Sequence, residues 1–184
     1  MSHASTHSAS HQAGWLFAEH FVPETDHAAS ARKLAADLGV TPLSQGASAL
    51  VSLLAKLVGA KTAVEIGTGS GVGSLALLDG LTGDGVLTSI DSEPEHQQTA
   101  RRVFDKAGIP TRRARLIAGA ALNVLPKLSD DAYDVVLADA DPLEAVEYVA
   151  QAARLLRSGG VLVVNHALSG GRVADEDNED DDTV

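Results

Sequence analysis

Five short runs rich in Val, Ile and Leu recur along this chain, each separated from the next by a stretch with helical spacing. That alternation constrains the fold more than any other feature. The runs span residues 62–66, 85–90, 114–117, 134–138 and 161–164, and helical patterns occupy 72–81, 93–107, 120–128 and 143–156 between them. Near-continuous apolar strands alternating with helices are what a parallel sheet covered on both faces requires. The expectation is therefore a doubly wound α/β fold with a mostly parallel sheet.

Three further helical patterns precede the first strand, over 12–21, 24–38 and 45–58. The second should stop at Gly39, a left-handed terminator, and the helix over 93–107 should be opened by Ser92 as its cap, with Pro94 in its first turn. Residues 1–11, rich in Ser, His and Ala, read as a disordered tail. Residues 12–184 read as one domain, with a helical appendage over 12–40, a core over 41–168 and an acidic loop or tail over 169–184. Seven of the 25 acidic residues lie between Asp175 and Asp182, so much of the net charge of −11 sits in that run. The basic cluster Arg112, Arg113 and Arg115, with Arg101 and Arg102 nearby, reads as a solvated surface, and nucleic acid is not the expected partner. The chain has no cysteine, which removes disulfides and thiolate chemistry and suggests a reducing, cytoplasmic setting. No window is apolar enough to suggest a membrane span.

The densest chemical signal is Val64-Glu65-Ile66-Gly67-Thr68-Gly69-Ser70-Gly71, a strand entering a turn with glycine at every second position and then a helix. Ligands of open parallel sheets sit beyond the carboxyl ends of the strands, where glycine lets backbone approach them. The spacing is not that of the dinucleotide fingerprint, since the sixth position counted from Gly67 is Val72 and from Gly69 is Ser74. A carboxylate at Glu65 would repel a pyrophosphate and suits a cofactor carrying an ammonium group. Asp91, at the tip of the second strand, is placed to accept from ribose hydroxyls.

From about Thr41 to Leu168 the chain resembles the S-adenosylmethionine-dependent O-methyltransferases of the catechol and caffeoyl-coenzyme A type. The blocks that carry the resemblance are Gln45-Gly46, VEIGTGSG, Ser89-Ile90-Asp91, Ala118-Gly119-Ala120-Ala121, YDVVLADAD ending at Asp141, and LLRSGGVLVV before Asn165. The resemblance implies a Rossmann-like fold in which Glu65 holds the methionine ammonium and Gly67 and Thr68, with Gly69, line the methionine moiety. It further implies that Asp91 binds the ribose, Ala120 and Ala121 border the adenine, and Asp139 and Asp141 lie near the cofactor. Gly73 stands where the family often has serine, with Ser74 as a possible substitute, and Thr41 is a candidate for closing the pocket. Members of this type continue past the fifth strand with a helix and two antiparallel strands, which this sequence does not display. A homodimer formed through the N-terminal helices is implied, and the Trp15 and Phe17 face suits it.

Metal-dependent relatives hold a divalent cation with an Asp and, after the next strand, an Asp-Asn pair. Here the first position is Asp139, but the pair reads Asn165-His166, and the family's lysine three residues after the first Asp is Pro142. A neutral amide and an imidazole weaken a site for Mg²⁺ while a softer ion could tolerate the histidine. Two functions follow. In one, the chain methylates a hydroxyl oxygen of a small aromatic acceptor with weak or no metal dependence, with His166 as general base beside Asp139. In the other, the pocket binds cofactor without catalysis. A modified tRNA uridine is a further acceptor class.

Overall fold

The computed structural model describes residues 3–168 together with 172, 173 and 177, with side chains described from His11 onward. Most of the acidic run at 169–184 lies outside the described residues. Helices α1 (His3–Glu19), α2 (Asp26–Leu38) and α3 (Gln45–Leu57) lead into β1 (Thr62–Ile66), α4 (Val72–Gly80), β2 (Val86–Asp91), α5 (Pro94–Lys106) and β3 (Ala114–Ala118). A short α6 (Ala121–Val124), β4 (Tyr133–Ala138), α7 (Ala145–Leu155) and β5 (Leu156–Val164) complete the order. The strands form one five-stranded sheet in the order β3-β2-β1-β4-β5, with every pair parallel. The doubly wound arrangement expected from the alternation is the one observed.

Because strand side chains alternate faces, each strand feeds two cores. Ala63, Leu87, Val135 and Leu137 face α3, α4 and α5, where Val51, Ala55, Leu77 and Phe104 are buried. Val64, Ile66, Ile90 and Val136 face the other way, onto Leu125, Tyr148 and Leu155. By the same parity, Glu65 and Ser89 point into the first core, a polar pair in an otherwise apolar layer.

Local chemistry sets the helix ends. Thr25 and Ser44 accept from Ala28 N and Ala47 N as N-caps of α2 and α3, and α2 stops at Gly39 in the left-handed conformation (φ 68°). Glu19 Oε1 accepts from Gly46 N at 2.6 Å, fixing the end of α1 against the start of α3. A Cβ at position 46 would sit 2.7 Å from the Glu19 carboxylate, so the glycine of the Gln45-Gly46 block permits that docking.

Four sequence expectations are corrected. The segment 1–11, expected to be disordered, is helical from His3, within α1. Its Ala- and Ser-rich composition contains no residue that breaks a helix before Gly14. Ser92 is not the cap of α5: Glu93 holds that position without a side-chain bond, and Asp91 Oδ1 takes the Glu93 N–H instead. The helix expected over 120–128 is α6 followed by a 3₁₀ turn at Leu125–Lys127 containing Pro126, which lacks the N–H needed to continue an α-helix. Finally, β5 begins at Leu156 rather than Val161, with a shifted register opposite Tyr133 and Val135. Arg157 Nε donates to Asp134 Oδ1 at 2.6 Å while Asp134 Oδ2 accepts from the backbone of Lys61 and Thr62. One carboxylate thereby ties the starts of β1, β4 and β5 together.

Candidate functional site

At the carboxyl ends of the strands, a cavity of about 980 Å³ opens between the two helix layers. Its wall includes Thr41, Gly67, Thr68, Gly69, Gly73, Asp91, Ala120, Ala121, Asp139, Asp141 and His166. The structure thus brings most of the sequence-derived candidates together. Glu65, Ser74 and Asn165 lie behind the wall and not on it.

The glycine turn is shaped by its contacts. Gly67, Gly69 and Gly71 all have positive φ (94°, 49° and 93°), a region that side chains disfavour. A Cβ on Gly67 would come within 2.0 Å of the Asp139 carbonyl oxygen, so no larger residue fits where β1 and β4 diverge. Gly71 is the N-cap of α4 and offers no side-chain acceptor, which leaves the first N–H groups of a nine-residue helix directed at the cavity edge. Ser70, whose hydroxyl is buried without a partner, also lines the wall.

Glu65 is fully buried beneath this turn. Its Oε2 accepts hydrogen bonds from Ser74 Oγ and Ser89 Oγ, while Oε1 has no partner. A Cβ at Gly73 would sit 2.5 Å from Oε1, so glycine at 73 leaves the carboxylate room just behind the cavity wall. Ser74 lies behind the wall, where its hydroxyl holds Glu65 from within. Burial is the largest influence on this carboxyl and pushes its pKa from 4.5 up to about 8; the two serine hydroxyls oppose the rise, and Asp139 and Asp91 add to it. The folded chain therefore holds a proton that the unfolded chain releases, and stability declines as pH rises from about 4.5 to about 8, then levels.

Asp91 accepts from Gly69 N through Oδ2 and from Glu93 N through Oδ1, each at 2.9 Å, and His96 Nδ1 lies 3.1 and 3.2 Å from its two oxygens. His96 also lines the cavity, and the sequence reading did not single it out. Its signal was available: five residues after Asp91, one turn into α5, it returns to the strand end. Tyr148 and Glu144, joined by a hydrogen bond from the phenol to the carboxylate, close the α7 side.

On the far wall, Asn165 Nδ2 donates to Asp139 Oδ1 at 2.7 Å and His166 Nε2 stands 3.4 Å from the same oxygen. Burial raises the Asp139 pKa, with Asn165 and His166 pulling it back. His166 adopts φ 61°, an uncommon left-handed conformation for a residue with a side chain, which turns the chain sharply after β5. This trio does not fit a hard divalent cation. One carboxylate, Asp139, replaces the usual pair, and a neutral amide and an imidazole take the other two positions, a donor set poor in charge for such an ion. Elsewhere, Arg113 donates to Gly85 O and Leu78 O and so serves the fold, while Arg112 and Asp84 form an exposed surface pair.

A family model described as O-methyltransferase matches residues 19–184. The chain belongs to this O-methyltransferase family. A Mycobacterium tuberculosis protein named as an O-methyltransferase is 48% identical over 170 residues, covering 92% of this chain and 76% of its relative. Among solved structures, a Corynebacterium glutamicum protein superposes with a TM-score of 0.86 at 32% identity, covering 95% of this chain and 82% of that one. The O-methyltransferase TomG of Streptomyces achromogenes, described in complex with S-adenosylmethionine and as involved in tomaymycin synthesis, gives 0.82 at 30% identity, covering 91% and 77%. Methyl transfer to oxygen with S-adenosylmethionine as donor is thus the activity of the family in which this O-methyltransferase falls. Among the described residues, no helix is long and apolar enough to cross a membrane.

Proposed function

We propose that this O-methyltransferase methylates a hydroxyl of a small aromatic acceptor without a divalent cation, using His166 as general base. The observation that carries this reading is the Asp139–His166 pair at the cavity wall, an imidazole beside a single carboxylate where a metal site would carry two.

The polar groups around the cavity fit S-adenosylmethionine. The unpartnered Oε1 of Glu65 lies behind Gly73 and supplies the negative charge for the ammonium group. The open N-terminus of α4 and the Ser70 hydroxyl suit the carboxylate. Asp91 takes the ribose, Ala120 and Ala121 leave space for the base, Asp141 borders the same wall, and Thr41 stands at the rim. When bound, the cofactor supplies an electrophilic methyl group on a sulfonium. The chain's task is then to hold an acceptor oxygen in line with that methyl and remove its proton. With Nε2 directed at Asp139, the Nδ1 of His166 is left to take the proton as the new O–C bond forms and the C–S bond breaks. Val40, Pro42 and Leu43 give the cavity an apolar side against which a planar ring packs.

The test is methyl transfer from labelled S-adenosylmethionine to a panel of hydroxylated aromatics before and after exhaustive chelation. Turnover should persist within about twofold with chelator present. Complete loss, restored by Mg²⁺, would overturn the metal-free reading; binding of cofactor with no turnover on any acceptor would favour a non-catalytic role.

The homodimer belongs to the same proposal. Trp15 and Phe17 on α1 and Leu53 and Leu57 on α3 are all more than half exposed, and α1 packs beside α3, so both helices offer apolar side chains for a second copy to cover. Light scattering after size exclusion should give twice the mass of one chain, and W15E combined with F17E should return it to one. A wild-type chain that runs as a monomer at micromolar concentration would contradict this. The cytoplasmic assignment rests on the cysteine-free composition alone.

A further inference from the structure

We infer that His96 is a ribose-binding residue, donating from Nδ1 to one of the sugar hydroxyl oxygens that Asp91 draws in. The inference rests on the cofactor reading above and adds to it a residue that neither the family resemblance nor the sequence motifs supplied.

An ionised carboxylate offers about four lone-pair sites, two on each oxygen. At Asp91, Gly69 N fills one on Oδ2 and Glu93 N one on Oδ1, both at 2.9 Å. Two sites remain, one per oxygen, and His96 Nδ1 sits 3.1 and 3.2 Å from the two oxygens, spanning both at once. Since the carboxylate only accepts, Nδ1 carries the proton. Asp91 and His96 are both largely buried, with side chains 8% and 17% exposed, and both line the cavity.

A vicinal diol fits this pair. Each hydroxyl that donates to Asp91 leaves its own oxygen needing a donor, because a buried hydroxyl without one is costly. The imidazole N–H is the donor within reach of both carboxylate oxygens, and hence of both hydroxyls. The diol takes the two acceptor sites as the imidazole swings back from them, exchanging one long shared hydrogen bond for two donated to Asp91 and one accepted from His96. The backbone bonds from Gly69 and Glu93 keep the carboxylate from turning away. The same geometry binds a sugar whose hydroxyls are absent more weakly, because Asp91 and His96 then keep only each other.

Calorimetry with S-adenosylhomocysteine and its 2′,3′-dideoxy analogue tests this on wild type, H96A and H96N, with melting temperatures recorded for each. H96A should weaken S-adenosylhomocysteine about tenfold, as expected for one lost hydrogen bond in a desolvated site. It should leave the dideoxy analogue within twofold of wild type, and H96N, which keeps an N–H donor, should recover part of the loss. Affinity of H96A for S-adenosylhomocysteine equal to or tighter than wild type would overturn the inference. So would an equal loss against both ligands, which would mark a structural role. A wild-type chain that binds neither ligand would overturn the cofactor reading itself, a result distinct from both.

Discussion

Glu65→Gln should lower affinity for S-adenosylmethionine at least about a hundredfold, while leaving the chain folded. Removing one partner of a buried charge pair typically costs about 3–5 kcal/mol, and 1.4 kcal/mol is a factor of ten. The replacement keeps the shape and keeps an oxygen for Ser74 and Ser89, so the pocket should remain intact. The pH dependence has a definite sign. With its pKa pushed up to about 8 by burial, Glu65 is mostly protonated at neutral pH, and a bound ammonium favours the ionised form. Wild-type affinity should therefore rise with pH toward about 8, until the ligand's own ammonium begins to lose its proton, whereas the Gln variant should show no such rise. Calorimetric titrations at several pH values measure both. An analogue lacking the amino group should bind the two proteins equally.

His166→Ala should reduce kcat by about a hundredfold or more with little change in cofactor affinity, the usual scale for a lost general base. Asp139→Asn should act in the same direction, because it removes the charge that orients the imidazole through Nε2 and stabilises its protonated form. The structural risk is local: position 166 has φ 61°, so alanine there carries some strain, and His166→Asn, a residue that tolerates this conformation, is the cleaner variant. Single-turnover rates on an accepted hydroxylated aromatic would measure the effect. Unchanged turnover in both variants would remove His166 from the chemistry.

Much of this arrangement is legible in the sequence, for physical reasons. The strand β1, the turn from Gly67 to Gly71 and the α2 stop at Gly39 follow from apolar runs and from glycines that the backbone requires. Parity along β1 even foretells that Glu65 shares a face with Ala63, inside the first core. Its removal from the cavity surface was nonetheless missed, because the resemblance directed attention to the ligand and not to Ser74 and Ser89, which hold it from α4 and β2. The early start of β5 was hidden for another reason. Arg157-Ser158-Gly159-Gly160 has little strand propensity, and the pairing depends on Asp134, distant in sequence. The donor face of Asn165 and the approach of His96 to Asp91 are likewise tertiary facts that a linear pattern does not contain.

The proposed dimer depends on how α1 is held and on the aromatic residues it exposes. α1 is tied to the body through Glu19 and Gly46, at its C-terminal end, while Phe17 and Phe21 pack on each other at 5.7 Å on the outside. A helix anchored at one end, with aromatic residues exposed, would gain stability from the second copy proposed above.

The most direct test of the account is the number of protons released when S-adenosylhomocysteine binds at pH 7, obtained by calorimetry in buffers of different ionisation enthalpy. A buried carboxyl at position 65 that ionises to meet an ammonium predicts release of close to one proton by the wild-type chain and none by Glu65→Gln. Tight binding by the wild type with no proton released, or identical affinity and proton count in the two proteins, would contradict it.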